Sequence, residues 1–245
     1  TLALCLAAWH TTAQAATIDD IKQRGELRCG VTQALAGFSV ADDKGNWTGL
    51  DVDYCRAIAT AIFDDPNKVT FRPTSSKERF TVLQSGEIDV LARVTTWTLS
   101  RDADLGFDFT AVNYYDGQGF MVQKSLGIKS IKELDGASIC TNTGTSTEVN
   151  MSDYFKSHGM SYKPVIFEKS EEVKTAYDNG RCDAYSSDVS GLYVQRKLLK
   201  NPDEHVILSE VISKEPLGPL VRHGDNHFAD LARWTHFCMV NAEEM

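Results

Sequence analysis

The amino-acid sequence alternates short strand-like runs with helix-forming segments along most of its length. Capping-box patterns, in which Ser or Thr is followed three residues later by Asp or Glu, begin at Thr17, Ser75, Ser130 and Thr145, and such pairs satisfy the free N–H groups of a first helical turn. Strand-like runs lie at residues 27–31, 69–72, 89–93, 137–141, 165–167 and 183–186. This order predicts an α/β fold in which helices cover a mostly parallel sheet.

The alternation falls into two comparable halves that are joined by two extended segments, residues 113–122 and 214–222. A final amphipathic helix is predicted over residues 226–244. We therefore expect a hinged clamshell, with residues 16–116 and 217–245 in lobe 1 and residues 117–216 in lobe 2. Ligands of open α/β sheets bind beyond the carboxyl ends of the strands, where helix N-termini also point.

Residues 1–15 resemble the end of a secretory signal peptide, because a short apolar stretch precedes a small-x-small cleavage site at residues 13–15. The alternative is an irregular first helix. A lipid anchor at Cys5 is rejected, since Leu4 stands where a small residue is expected. We exclude residues 1–15 from the fold and expect an exported, periplasmic protein.

The charge balance narrows the class of partner. The chain has 25 Lys and Arg against 34 Asp and Glu, a formal charge of −9, and it has no basic cluster. This charge distribution argues against a protein that binds nucleic acid. No apolar run reaches the ~18–20 residues of a membrane-spanning helix.

The cysteines after residue 15 have structural rather than metal-binding spacing, without CxxC or HExxH. An exported protein can hold disulfides. From their places in the two halves, we predict pairing within each lobe, Cys29 with Cys55 and Cys140 with Cys182, and a free Cys238.

Three local motifs could bind a small charged molecule. The segment 143–148 (TGTSTE) opens a helix after a strand, so Thr145 and Ser146 offer hydroxyls and N–H groups to an anion, although a plain helix cap is the alternative. Arg101 follows a strand and could grip a carboxylate, or be a surface charge. Asp188 ends a strand, where it could hold an ammonium group or merely cap the next helix.

Enzymatic motifs are poorly represented. The chain has no GxSxG, no GxGxxG after a strand and no Glu-x-x-His pattern. A Cys–His nucleophilic pair stays open at this point, because such partners meet only in space.

Several motifs in order resemble the polar-amino-acid family of periplasmic solute-binding proteins of ABC importers, in particular the general L-amino-acid-binding proteins. The resemblance spans residues 17–245 and rests on 49–62, where Tyr54 departs mildly from the usual residue, and on 76–92, 98–101, 107–115, 144–146 and 180–188. It implies a type II periplasmic-binding-protein clamshell without a cofactor. Relatives continue past this chain's last residue, so further C-terminal residues are expected.

The resemblance also implies a role for each site residue. Arg101 would bind the ligand α-carboxylate, helped by the Ser146 hydroxyl and by N–H groups near Thr145. Asp188 would pair with the α-ammonium, with Thr96 and the Val94 backbone completing that shell. The positions that select ligand side chains in many relatives correspond to Thr32 and Leu35, and Trp97 could wall the pocket.

The expected function is capture of L-amino acids by a monomer that delivers them to the membrane permease of an ABC importer. Without an acidic selector at Thr32, we expect acidic and neutral amino acids to bind within about tenfold of each other. The alternatives are a cyclohexadienyl-dehydratase-like enzyme or a receptor sensor domain on the same fold.

Overall fold

The computed structural model describes residues 17–245, which form two lobes that each have a sheet and helices. The predicted signal-peptide segment lies outside the described residues. The helices are α1 Thr17–Arg24, α2 Leu50–Phe63, α3 Arg79–Gln84, α4 Ser146–Ser157, α5 Ser170–Asp178, α6 Val189–Lys197 and α7 Asn226–Glu243. The strands are β1 Leu27–Val31, β2 Ala34–Leu35, β3 Ser39–Ala41, β4 Trp47–Thr48, β5 Val69–Pro73, β6 Val90–Leu91, β7 Phe107–Phe109, β8 Tyr114–Gln123, β9 Ser138–Asn142, β10 Lys163–Phe167, β11 Ala184–Asp188, β12 His205–Ile207, β13 Lys214–Leu217 and β14 Leu220–Arg222.

Lobe 1 is built around a sheet with the strand order β5-β1-β6-β14-β7. Strand β1 runs parallel to β5 and β6, as the strand–helix alternation predicts. Strand β14 follows the last crossing from lobe 2 and inserts antiparallel between β6 and β7. The sheet is therefore mixed, because a returning crossing must enter it in the opposite direction.

Lobe 2 has the strand order β10-β9-β11-β8-β12, and β13 pairs with another part of β8. Strands β10, β9 and β11 are parallel, whereas β8 runs antiparallel to its neighbours. The two predicted crossings pair with each other, with Gly117 opposite Lys214 and Tyr114 opposite Leu217. This antiparallel pair, β8 with β13, forms the hinge.

Each lobe has its own apolar core and its own disulfide. In lobe 1, α2 and α7 pack together on β1, and the Tyr54 hydroxyl donates to the Ala232 carbonyl at 2.9 Å. Both predicted disulfides are present, Cys29–Cys55 in lobe 1 and Cys140–Cys182 in lobe 2, and Cys238 is free and exposed. Disulfides of this kind typically contribute about 2–4 kcal/mol to stability, and these two leave the hinge unlocked.

The predicted helix caps include one reciprocal capping box. The amide of Ser75 donates to the Glu78 carboxylate at 2.9 Å, and the amide of Glu78 donates to the Ser75 hydroxyl at 3.2 Å. The box closes the turn immediately before α3, and both of its residues line the cavity between the lobes. Within residues 17–245, no helix combines the length and apolar character needed to cross a membrane.

Candidate functional site

A cavity of about 630 Å³ lies between the two lobes and is lined by residues of both. Its size falls within the roughly 300–1,000 Å³ that is usual for small-molecule sites. Six of the residues predicted for the site line it: Leu35, Val94, Thr96, Thr145, Ser146 and Asp188. Thr32 lines it as well, so segments far apart in the sequence meet here as the resemblance implies.

Direct contacts across the cleft show that the lobes are closed. Arg79 Nη2 donates to the Gly144 carbonyl at 3.3 Å, and the hydroxyl oxygens of Thr96 and Ser146 lie 3.1 Å apart. At Gly144 the backbone has φ 72°, and a Cβ there would lie 3.1 Å from the Cα of Lys77 in the opposite lobe. Glycine therefore permits this approach of one lobe to the other.

Asp188 presents an unpaired carboxylate to the cavity. It occupies the N-cap position of α6 but makes no capping hydrogen bond. Asp116, on β8, caps that helix instead by accepting from the amide of Ser190 at 3.2 Å and from its hydroxyl. Burial, and then the nearby carboxylates of Glu215 and Asp116, raise the pKa of Asp188 to about 7. The plain-cap interpretation of Asp188 does not hold, and its carboxylate is free to meet a cation.

Three buried arginines of lobe 1 surround the other side of the site. Arg79 and Arg93 line the cavity, and Arg101 lies close behind it. Within residues 17–245 none of the three forms a salt bridge, and Arg79 Nε is buried without a hydrogen-bond partner. Burial and then the charges of Arg101 and Arg93 lower the pKa of Arg79. Buried positive charge that forms no salt bridge favours an anionic ligand.

Arg101 and Trp97 do not line the cavity, although both were predicted for the site. The Arg101 guanidinium lies behind Thr96, donates through Nη1 to the Thr96 carbonyl at 2.7 Å and stacks 5.3 Å from the Phe80 ring centroid. Burial lowers the pKa of Arg101, and the charges of Glu215 and Asp188 oppose that shift. The Trp97 ring instead stacks on Phe109 with 5.2 Å between centroids. Trp97 therefore packs against lobe 1 and does not wall the pocket.

The N-terminus of α4 faces the cavity with free amides. The Thr145 hydroxyl is used as a helix cap, since it accepts from the Glu148 amide at 3.2 Å and donates to the Asn142 carbonyl at 2.9 Å. The amides of Ser146 and Thr147 have no acceptor among the described residues, as first-turn amides commonly do not. The plain-cap interpretation thus holds for the Thr145 hydroxyl, while the neighbouring amides can receive an anion.

Val94 has a backbone conformation that is costly for a β-branched residue, with φ 38°. Its amide donates to Asp51 at 3.2 Å. Burial raises the pKa of Asp51 to about 6, against the opposing effects of the Val94 amide, Asn113 and Arg93. Strain of this kind costs about 1–3 kcal/mol and is often found at functional sites. The conformation lies at the cavity wall, next to Thr96.

Sequence analysis missed the site residues Arg79, Arg93 and Glu215. Arg79 belongs to the segment 76–92 that carried the family resemblance, and Arg93 directly follows that segment. A charge pattern alone does not show which arginine is buried. Glu215 lies in an extended crossing next to Pro216, and its carboxylate is buried at the base of the cleft. A charged residue in a segment otherwise suited to a hinge was the signal that could have identified it.

The fold and the cavity define a clamshell ligand-binding protein, whose two lobes close on a small charged molecule. Residues 27–235 match the bacterial extracellular solute-binding proteins, family 3, and the chain belongs to this family.

Similar proteins include the General L-amino acid-binding periplasmic protein AapJ of Rhizobium johnstonii, which is 57% identical over 99% of this chain and 71% of its own length. The Glutamate/glutamine/aspartate/asparagine-binding protein BztA of Rhodobacter capsulatus is 53% identical over 95% of this chain and 69% of its own length. A solved ABC transporter periplasmic binding protein from Brucella ovis, with glutathione bound, is 59% identical with a TM-score of 0.90, and the match covers 94% of this chain and 73% of that one.

Proposed function

We propose that this protein is the periplasmic binding component of an ABC importer and that it captures amino acids as zwitterions. The observation that carries the proposal is the presence, around one closed cavity, of the Asp188 carboxylate and of buried arginines, none of which forms a salt bridge among the described residues. A zwitterion supplies both missing charges at once, and closing the cleft strengthens each charged contact by removing water.

In this proposal the α-ammonium lies against Asp188 and Thr96, with the Val94 carbonyl completing the shell. The α-carboxylate lies against the free amides at the N-terminus of α4, and Arg101, which is buried behind Thr96, contributes positive charge from behind the cavity wall. Ser146 contributes its amide to this carboxylate. These groups come from both lobes, so the ligand stabilises the closed form.

The side chain of the ligand would extend toward Arg79 and Arg93. The unpartnered Nε of Arg79 can donate to a side-chain carboxylate or amide, which fits the acidic and amide amino acids named for the Rhodobacter relative. Thr32 and Leu35 line the same cavity without adding a charge. Broad selection among acidic and neutral amino acids is therefore proposed, as the sequence predicts.

The cavity volume of about 630 Å³ also leaves room for a ligand longer than one amino acid. A γ-glutamyl peptide such as glutathione, the ligand of the Brucella relative, carries the same zwitterionic head and a second carboxylate. We include γ-glutamyl peptides among the proposed ligands for this reason.

The relatives favour transport over catalysis, because their names describe binding proteins. We further propose that the protein acts as a monomer and that the permease of the importer recognises its closed form. A dehydratase-like activity would need a general acid or base placed to act on the ligand, whereas Asp188 already has an ammonium to bind.

The test is calorimetric titration of purified protein, unfolded and refolded to remove carried-over ligand, with the twenty amino acids and glutathione. Saturable binding of several L-amino acids supports the proposal. Absence of binding to every L-amino acid and to glutathione would contradict it, and turnover of prephenate or arogenate would favour the enzyme.

A further inference from the structure

Glu215 joins the two lobes at the base of the cleft. It lies on the hinge strand β13 and is 1% exposed. Its Oε2 accepts hydrogen bonds from the Thr96 hydroxyl of lobe 1 at 2.6 Å and from the Ser146 hydroxyl of lobe 2 at 2.9 Å. Its Oε1 accepts from Asn150 Nδ2 at 2.8 Å and from the hydroxyl of Ser213.

The carboxylate determines the direction of the hydrogen bonds that Thr96 and Ser146 can make. A hydroxyl group has one proton to donate and two lone pairs to accept with. An ionised carboxylate only accepts hydrogen bonds, so both hydroxyls donate their protons to hydrogen bonds with Glu215. Both side chains also line the cavity, where only their lone pairs remain available.

We propose that Glu215 is a positioning residue that orients the hydroxyls of Thr96 and Ser146 as hydrogen-bond acceptors, and so makes this part of the cavity selective for an ammonium group. This inference rests on the proposed function. The two oxygens lie 3.1 Å apart, and a shared N–H donor from the ligand relieves the repulsion between them. The Ser146 hydroxyl then serves the ammonium side of the ligand, in contrast to the role that the family resemblance implies.

The main alternative is a purely structural role, in which Glu215 holds the hinge together. The two roles differ in what a substitution does to selectivity. Loss of hinge stability weakens every ligand by the same factor. Loss of the acceptor orientation weakens the ammonium ligand specifically, because hydroxyl protons can then point into the cavity and repel an N–H donor.

The experiment compares L-glutamate with 2-hydroxyglutarate, in which a hydroxyl group replaces the ammonium, by calorimetric titration at one pH. The variants are Glu215→Leu, which removes the acceptor oxygens, and Thr96→Val, and Ser213→Ala is the matched control because Ser213 bonds to Glu215 without lining the cavity. Thermal melts of the ligand-free proteins report folding. The measured quantity is the dissociation constant of 2-hydroxyglutarate divided by that of L-glutamate, so a larger ratio means a stronger preference for the ammonium ligand.

We expect wild type and Ser213→Ala to share the same preference for L-glutamate, and Glu215→Leu to reduce the ratio by at least about tenfold, the size of a hydrogen bond to a charged group. Thr96→Val should reduce it too, and this keeps the test valid if Glu215→Leu does not fold. An unchanged ratio in a folded Glu215→Leu protein overturns the inference even if both affinities fall, and so does an unchanged ratio in Thr96→Val. Failure of wild type to bind L-glutamate or any other amino acid would instead remove the proposed function, and the inference with it.

Discussion

Closure of the cleft can be tested at Gly144, where one lobe touches the other. A Cβ at this position would lie 3.1 Å from Lys77 Cα and 3.2 Å from the Ser76 carbonyl oxygen, both backbone atoms of lobe 1. Gly144→Ala should therefore hold the lobes slightly apart. Gly180 is the matched control, because it has φ 73° against φ 72° at Gly144 but nothing within 4 Å of its would-be Cβ.

The expected magnitude follows from the contacts that closure makes beside Gly144. Alanine in the left-handed region costs about 1–2 kcal/mol of stability at either position, and this cost is present whether or not ligand is bound. Separating the lobes also weakens two interlobe hydrogen bonds, from Arg79 to the Gly144 carbonyl and from the Ser75 hydroxyl to Glu168. At about 0.5–1.5 kcal/mol each, these losses amount to about 1–3 kcal/mol, or roughly 5–150-fold in affinity.

The assay is calorimetric titration of L-glutamate, paired with thermal melts of the ligand-free proteins. Both variants should lose similar stability, and only Gly144→Ala should lose affinity. Small-angle scattering should show that saturating ligand compacts wild type and Gly180→Ala more than Gly144→Ala. Equal affinities for the two variants, with equal compaction, would refute the argument that Gly144 limits closure.

Three further outcomes are expected. Ligand affinity should rise with pH and level off above about 7, because the pKa of Asp188 is raised to about 7 and its carboxyl must lose a proton before an ammonium binds. Below that pH the affinity should fall by up to about tenfold per pH unit. Titration in buffers of different ionisation enthalpy measures the released proton, and a pH-independent affinity would contradict the role of Asp188. Arg101→Ala should weaken every amino-acid ligand by about 2–5 kcal/mol, because it removes buried positive charge from behind the cavity wall. Arg101→Lys should fail to restore binding because an ammonium lacks the planar guanidinium that bonds the Thr96 carbonyl and stacks on Phe80; calorimetry that finds affinity retained would remove Arg101 from the site. Alkylation of the native, unreduced protein should label Cys238 alone among the described cysteines, and mass spectrometry that finds label on Cys29 or Cys140 would contradict the pairing.

The sequence predicts this fold well where local rules decide it. Strand β1 occupies the predicted residues 27–31, and the crossings 113–122 and 214–222 contain the hinge strands β8 and β13. The short strands β2, β3 and β4 were not predicted, because two- or three-residue strands leave no alternation to detect.

The site was predictable only in part. Asp188 and Thr96 were identified because they belong to motifs that keep their order along the chain. The position of Trp97 depends instead on its stacking partner Phe109, and the importance of Glu215 depends on hydroxyls that reach it from both lobes. Contacts of this kind form only in the folded structure, so the spacing of residues along the chain does not predict them.

The insertion of β14 between β6 and β7 has a consequence for the order of folding. Lobe 2 is one continuous stretch of chain, so it can assemble before the rest of lobe 1 follows it. The middle of the lobe 1 sheet must stay vacant until the strand that follows lobe 2 arrives, and pairing between such distant segments is intrinsically slow. During that interval the edges of β6 and β7 are open to other extended chains. Lobe 1 begins first in the chain but is completed last, and it is therefore the more exposed of the two lobes to aggregation.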